Sequence, residues 1–263
     1  MIRLFLVAAL LIYIARGIAP WSGGFRDRFS DGRLIWLGIA AHGIGLFGEI
    51  LFEGMASTLH LALVGLSLLV LLGNQYLQRM PRMEALEGVL LPLSSLLLAL
   101  GLIAPGQAIG SAPLSWWLPV HIGFMVLGFG GMAVAFSVSL LYLWVRTRLK
   151  KKQLAGIGRL PSLATLDDLN QRSLIFGFVA LTAGAASGAL WAALGEPDRA
   201  AISSDLTVYA TVAVWLWYAI GLHLRMIAGY RGQTVAWFGV VGFAGISVIM
   251  AGATLAFQSF HGV

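Results

Sequence analysis

The stretch "WWLPVHIGFMVLGFGG" (Trp116–Gly131) opens an apolar run that continues to about residue 145. A helix that crosses a bilayer needs about 20 mostly apolar residues, so this run is long enough to span a membrane. It carries an ionisable side chain, His121, close to its start. The run therefore predicts a transmembrane helix, and it raises the question of what a histidine does near the N-terminal end of that helix.

The rest of the chain is similarly apolar. Of its 263 residues, 59% are hydrophobic and 11% are charged, whereas soluble domains have roughly 25% charged residues. This composition excludes an ordinary soluble domain. The net charge of +6 does not indicate nucleic-acid binding, because in a membrane protein the positions of the cations matter more than their sum.

Polar and Gly/Pro-containing segments divide the chain into eight apolar segments. Each is expected to be helical, because lipid cannot satisfy an open sheet edge. The first lacks a small-residue cleavage motif and is expected to be retained as a span. The predicted fold is all-α and polytopic, a bundle of eight transmembrane helices in one domain, 1–263. The predicted spans are 2–20, 34–53, 57–77, 85–104, 116–145, 173–194, 204–228 and 234–258.

Basic residues predict the orientation of these spans. All of the 17 Lys and Arg except Arg3 and Arg199 lie in or beside the odd-numbered connections. Cytoplasmic loops carry an excess of Lys and Arg, so both termini are predicted on the outer side of a bacterial cytoplasmic (inner) membrane. The longest connection, 146–172, is interpreted as a basic cytoplasmic linker, and a contact with anionic lipid or a partner is the alternative.

Four of the five histidines fall into two pairs by depth. At about 1.5 Å per residue, His42 and His223 each lie roughly 12 Å inside the cytoplasmic surface. His121 and His261 lie at the outer surface. Ionisable residues within spans are functional candidates, and the alternative is a neutral histidine that hydrogen-bonds a neighbouring helix. His60, at the outer start of the third span, is interpreted as an interfacial residue.

The available side chains favour haem over a bare metal ion. The chain has no cysteine, which excludes thiolate sites and covalent attachment of haem to this chain. A bare zinc or iron site would have few carboxylate ligands within the membrane, namely Glu49 and Glu53 near the outer end of the second span. Neutral imidazole is the usual nitrogen ligand of haem iron, so the cofactor predicted is non-covalent haem b. The tryptophans that could line its pocket, or instead form an interfacial belt, are Trp116, Trp117, Trp191, Trp215 and Trp217.

Glycine pairs predict close approaches between helices. "GAASG" (Gly184–Gly188) has the spacing that lets two helix backbones come together. Close helix packing is the preferred interpretation, and a flat cofactor lying against the backbone is the alternative.

Several segments together resemble one known family. They are "LPVHIGFMVLGFGGMAVAFSVSLLYL" (118–143), "LDDLNQRSLIFGFVALTAGAASGALWA" (166–192), "AIGLHLRMIAGYRGQTVAWFGVVGF" (219–243) and "FQSFHGV" (257–263). In this order they resemble the cytochrome c assembly family, the CcsA/CcmC/ResC-type haem-handling membrane proteins. The resemblance is stronger over 115–263 than over 1–114, where "AAHGIGLFGE" (40–49) carries it.

The resemblance implies a role for each of the four histidines. His42 and His223 would hold haem within the membrane, and His121 and His261 would flank an outer haem site. The tryptophan-rich W-x-W-D motif of full synthases does not follow Trp191, and Asp205 is a poor substitute for its aspartate. The chain is therefore nearest the short YpjD/HemX-like branch, and it is not predicted to be an enzyme.

The resulting hypothesis is a haem-binding protein of cytochrome c biogenesis or of haem delivery across the membrane. The expected partners are haem, the lipid bilayer and other proteins of cytochrome c assembly or haem biosynthesis. A membrane regulatory partner of those pathways without haem transfer is the first alternative, and a small-molecule transporter is the second. No nucleophile–base pair or phosphate-binding loop is visible in the sequence.

Overall fold

The protein folds into two compact units, here called unit 1 (Met1–Leu114) and unit 2 (Ser115–Val263). The structure, a computed structural model, describes residues 2–18, 32–53, 58–104, 117–153, 155–194 and 206–260. The division falls where the family resemblance changes from weaker to stronger.

Within its described residues, unit 1 has four α-helices in an up-and-down arrangement. An Arg3–Glu49 ion pair joins the start of the first helix to the end of the second. An Arg16–Glu87 ion pair, with Nε and Oε1 2.6 Å apart, joins the end of the first helix to the start of the fourth. The helices are α1 (Arg3–Ile18), α2 (Gly32–Gly48) with a π-helical turn (Glu49–Glu53), α3 (Thr58–Leu77) and α4 (Glu84–Ile103).

Glycines in α2 let it pack directly on α1. A Cβ placed on Gly38 would lie 2.6 Å from the Tyr13 ring, and one on Gly45 would lie 2.6 Å from Leu6. Real Cβ atoms do not approach so closely, so α1 fits against α2 only because these two positions lack side chains. Around this contact, Leu6, Tyr13 and Ile35 are buried, and they form the core of unit 1 with apolar residues of α3 and α4.

Unit 2 is built on two long helices that pack backbone against backbone. A Cβ on Gly131 would lie 2.7 Å from Gly177 Cα, and one on Gly128 would lie 2.8 Å from Leu181 N. Gly184 and Gly188 also face this contact, so the "GAASG" motif serves close helix packing as predicted. The helices of unit 2 are α5 (Trp117–Lys150), α6 (Leu163–Leu194), α7 (Leu206–Met226) and α8 (Gln233–Phe260).

The basic connection between the fifth and sixth spans is shorter than the sequence predicts. Helix α5 extends to Lys150 and α6 begins at Leu163, so most of 146–172 is helical. Ser162 explains the early start of α6, because its Oγ accepts a hydrogen bond from Thr165 N at 3.0 Å and caps the helix. The polar sequence after Ser162 stays helical because Leu166 and Leu169 are buried on one face.

The described residues thus place one α-helix in each of the eight predicted segments. Five of these helices are long and apolar enough to cross a membrane. Those five segments are Gly32–Leu51, Leu59–Leu77, Glu84–Ile103, Pro119–Lys150 and Ile157–Leu190. Large apolar side chains such as Leu51 and Ile103 lie exposed on their surfaces, where lipid rather than water would be a favourable neighbour. The molecule is a helical membrane protein.

Candidate functional site

His223 lies exposed beside an apolar groove of unit 2. The groove has a volume of about 340 Å³, within the range of about 300–1,000 Å³ typical of small-molecule sites. Among the residues that the structure describes, no side chain or backbone group hydrogen-bonds the His223 ring. The ring can therefore offer a nitrogen lone pair to a ligand in the groove. The other lining residues are Ile175, Phe178 and Val179 from α6 and Leu222, Met226 and Ile227 from α7.

His121 lies partly buried between α5 and α6. Its Nδ1 is 2.9 Å from Gly184 O and 3.2 Å from Ser187 Oγ. A carbonyl oxygen only accepts, so Nδ1 carries the hydrogen and the Nε2 lone pair is left available. Gly188 makes room for the ring, since a Cβ there would lie 2.8 Å from His121 Cε1. Metal-ligating histidines usually have this form, with one nitrogen donating to a carbonyl and the other facing the metal.

His42 has a different environment in the core of unit 1. It is fully buried, and its Nε2 lies 3.1 Å from Val64 O while its Nδ1 lies 3.3 Å from Tyr13 Oη. Nε2 must donate to the carbonyl, so Nδ1 accepts from the tyrosine hydroxyl. Both ring nitrogens are thus in use, and ligation of a metal by His42 requires one of these two hydrogen bonds to be given up.

His60 takes part in a polar chain that joins the four described α-helices of unit 1. Its Nδ1 donates to Gly101 O at 2.7 Å, and its Nε2 lies 2.6 Å from Glu49 Oε2. Glu49 Oε1 in turn accepts from Arg3 Nε at 3.2 Å. Glu49 and His60 are both buried, with 1% and 2% exposure of their side chains. A buried charge needs such partners, so this pair holds the ends of the four helices together.

A second charge pair lies in unit 2 near His223, between a buried arginine and a partly exposed aspartate. Arg225, which is 6% exposed, donates from Nη1 to Asp167 Oδ1 at 3.1 Å and from Nη2 to Asp167 Oδ2 at 2.8 Å. Its Nη2 also donates to the Asp167 backbone O at 3.0 Å, and its Nε donates to Gln171 Oε1 at 3.1 Å. Gly232 N donates to Asp167 Oδ1 at 3.0 Å. One carboxylate therefore joins α6, the end of α7 and the turn into α8.

Two of the five predicted pocket tryptophans, Trp215 and Trp217, have described side chains, and their environments differ. Trp215 Nε1 donates to Thr182 Oγ1 at 2.9 Å, and its ring stacks on Phe178, which lines the groove. Trp217 instead donates to Phe238 O at 3.1 Å and stacks on Phe238, so it packs α7 against α8. Of the predicted pocket residues, Trp215 is thus next to the groove of His223, and Trp217 is not among the residues that line it.

Other predicted positions fall outside the described residues. They are His261 and Trp116, together with the side chains of Trp117 and Trp191. The predicted inner pair is divided between the units, with His42 in unit 1 and His223 in unit 2. No group of three or more His, Cys, Asp or Glu that could hold a bare metal ion occurs within the part of the chain that the structure describes.

Two arrangements were missed by sequence reasoning, although each leaves a signal. Glu49 and His60 sit at the outer ends of consecutive predicted spans, so the depth comparison that paired the histidines would also have paired these two. Asp167 and Arg225 both fall in segments of the family resemblance and carry opposite charges near the ends of their helices that the sequence predicts to be cytoplasmic. Pairing carboxylates and cations by depth would have found both.

Comparison with known proteins agrees with the sequence motifs. The family described as "Cytochrome C assembly protein" matches residues 53–261, which is most of the chain and includes His60, His121 and His223. The match extends into unit 1 as far as residue 53, so it does not include the motif at 40–49 or His42. No solved structure matches the chain.

Named relatives cover different shares of the chain. The "Cytochrome c biogenesis protein CcsA" of Guillardia theta is 25% identical over 227 residues, covering 78% of this chain and 75% of the relative. That of Parasynechococcus marenigrum is 29% identical over 184 residues, 60% of each chain. That of Synechococcus sp. (strain RCC307) is 24% identical and covers 97% of this chain and 93% of its own length. With the family match, these alignments establish that the chain belongs to the cytochrome c assembly protein family.

Proposed function

We propose that this protein binds haem non-covalently through histidine and acts in cytochrome c biogenesis, in haem delivery across the membrane. The observation that carries the proposal is His223, an imidazole without a hydrogen-bond partner among the described residues, beside an apolar groove. An apolar groove with a single imidazole suits a flat hydrophobic ligand that has one metal centre. The named relatives, which are cytochrome c biogenesis proteins, support the biological context.

His223 would hold haem at the groove, and His121 would hold haem at the outer side of unit 2. In each case the available ring nitrogen is the proposed ligand atom. When bound, haem would supply an iron that accepts an imidazole nitrogen as a ligand. The chain's own residues would orient that nitrogen and supply an apolar surface: Gly184 O fixes the His121 tautomer, and apolar side chains line the groove beside His223.

His42 and His261 remain predicted ligands on weaker support. For His42 the ligand role requires loss of its bond to Tyr13 or to Val64. His261 lies outside the described residues. The assignment of the chain to the short YpjD/HemX-like branch likewise remains a prediction, as does the identity of its partners in cytochrome c assembly.

Haemin titration tests the haem proposal. Purified protein in detergent is titrated with haemin, and the Soret band is followed for wild type, His223→Ala, His121→Ala and His42→Ala. His60→Gln is the matched control, because it changes a histidine that is fully hydrogen-bonded. We expect His223→Ala to weaken binding by at least ~100-fold, more than the loss of a supporting residue does. A Soret band that none of the ligand variants changes would overturn the proposal.

We also propose eight membrane spans with both termini on the outer side of a bacterial cytoplasmic membrane. The eight helices and the asymmetry of Lys and Arg support this topology. The chain has no cysteine, so single cysteines can be introduced without background. In intact cells Arg199→Cys should react with a membrane-impermeant maleimide, and Gln153→Cys should react only after permeabilisation. The reverse pattern would overturn the topology.

A further inference from the structure

The groove beside His223 is formed by α6 and α7, and a single arginine ties these helices together next to it. Arg225 lies two residues beyond His223 and directly before the lining residue Met226. It is 6% exposed and bonds Asp167 and Gln171 of α6. The hydrogen bonds of Arg225 therefore act within the same turn of α7 that carries the candidate ligand.

Residues of α6 continue from this contact into the groove wall. Asp167, Gln171, Ile175 and Phe178 follow one another at intervals of three or four residues, so they lie on one side of the helix. The first two bind Arg225 and the last two line the groove. The charge pair and the groove wall are thus successive parts of one α6 face that packs against α7.

The geometry of the Asp167–Arg225 pair restricts the rotation of α7 about its own axis as well as the distance between α6 and α7. Arg225 engages both carboxylate oxygens of Asp167 through two different nitrogens, a planar, bidentate arrangement that a single ammonium group cannot reproduce. A third guanidinium nitrogen bonds Gln171. With its donors held from two positions of α6, Arg225 cannot turn about the α7 axis without losing bonds. A rotation of α7 that carried His223 away from the groove would therefore break these bonds.

The same carboxylate also fixes the end of α7. Gly232 N donates to Asp167 Oδ1, and Tyr230 N donates to Leu224 O at 3.2 Å. Gly229 and Gly232 have φ of 71° and 69°, a conformation that favours glycine. A side chain at Gly232 would also meet Tyr142 Oη at 2.8 Å. The conformation of these glycines thus places the backbone N–H of Gly232 within hydrogen-bonding distance of Asp167.

We propose that Asp167 and Arg225 form a positioning pair that holds His223 in the orientation in which its ring faces the groove. Gln171 supports the pair from the next turn of α6. This inference rests on the proposed role of His223 as a haem ligand and adds the residues that set its direction. Neither Asp167 nor Arg225 lines the groove. The pair acts only by fixing the rotation of α7, which carries His223.

Helix α6 offers a matched control in the next residue. Asp168 forms an ion pair with Arg172, Nε to Oδ2 2.9 Å, but both side chains lie in the open, with 59% and 76% exposure. The control variants Asp168→Asn and Arg172→Lys therefore make the same chemical changes as Asp167→Asn and Arg225→Lys, but in an exposed ion pair within α6 whose residues do not line the groove.

The experiment compares these four variants with His223→Ala in haemin titrations of the full chain in detergent. We expect Asp167→Asn and Arg225→Lys to bind haemin ~10–100-fold more weakly, as when the support of a metal ligand is removed. Their spectra should shift towards that of His223→Ala, and added imidazole should restore the wild-type spectrum. Imidazole rescue, measured only on haemin that stays with the protein through gel filtration, separates a displaced ligand from a lost fold, because imidazole also ligates free haemin. The two control variants should match wild type.

The outcomes separate this inference from the proposed function. If His223→Ala leaves haemin binding unchanged, the ligand role of His223 is wrong. If His223→Ala weakens binding while Asp167→Asn and Arg225→Lys behave like their controls, the positioning role is wrong. Should both pair variants fail to fold, Gln171→Leu decides, since it removes only the Arg225 Nε bond. A Gln171→Leu protein with an unchanged haemin spectrum would overturn the inference, and a partial shift that imidazole reverses would support it.

Discussion

The histidines of unit 1 and those of unit 2 differ in what their ring nitrogens do. In unit 1, His42 bonds Tyr13 and Val64, and His60 bonds Gly101 and Glu49, so each ring has both nitrogens in use. In unit 2, His121 uses Nδ1 for Gly184, and the ring of His223 has no hydrogen bond to the described residues. Burial follows the same division, because His42 and His60 are buried and His223 is exposed.

This difference separates histidines that hold helices together from histidines that can bind a ligand. A buried imidazole with two partners stabilises the fold, and losing it leaves polar groups unsatisfied. An imidazole with an open nitrogen contributes little to the fold but can ligate iron. Substitutions in unit 1 should therefore change stability, and substitutions of the two open histidines in unit 2 should change haemin binding.

The largest expected effect is on the Glu49–His60 pair. Glu49→Ala leaves His60 buried opposite Gly101 with no carboxylate, and it should lower the free energy of unfolding by about 3–5 kcal/mol. Chemical unfolding in detergent, followed by circular dichroism, measures the change. Glu49→Gln is the matched control, because its amide can still donate to a neutral Nε2 and should cost less. Equal stability of Glu49→Ala and wild type would contradict a structural role for the pair.

His42→Ala is expected to have the next largest effect. It leaves Tyr13 Oη without its partner in the core and removes the bond to Val64 O, a loss of about 1–3 kcal/mol. If haemin binding of the folded variant matches wild type, His42 has a structural role, as the comparison of the two units predicts. If stability is unchanged and the Soret band is lost, the division between structural histidines in unit 1 and ligand-binding histidines in unit 2 is wrong. His42 is then the inner ligand that the sequence predicts.

The sequence predicts where the helices lie, but it does not predict whether the ring nitrogens of each histidine are hydrogen-bonded. Apolar length and turn residues predict all eight helices, and depth arithmetic groups the histidines, because both depend on local spacing along one axis. Whether a ring nitrogen is occupied depends on which residue of another helix faces it, such as Tyr13 opposite His42. Hydropathy does not contain that lateral information, so His42 and His223 look equivalent in the sequence although their environments differ.

Gly188→Ala tests how closely the His121 ring is held. The added methyl would lie 2.8 Å from His121 Cε1, so the ring must shift, at a cost of about 1–2 kcal/mol. The shift should also weaken the part of haemin binding that His121→Ala removes. Gly123→Ala on α5 is the control, since nothing lies within 4 Å of its Cβ. Alanine there should stabilise the helix by up to about 1 kcal/mol, so the two substitutions should change stability in opposite directions.

The smallest expected effects distinguish two tryptophans within α7. Trp215→Phe and Trp217→Phe each remove one indole hydrogen bond, to Thr182 and to Phe238 O, so each should cost about 0.5–1.5 kcal/mol of stability. Their effects on haemin should differ, because Trp215 stacks on the groove residue Phe178 and Trp217 stacks on Phe238 of α8. We expect a shift of the Soret maximum for Trp215→Phe alone. A shift of the same size for Trp217→Phe would mean that the haemin site is not confined to the groove between α6 and α7.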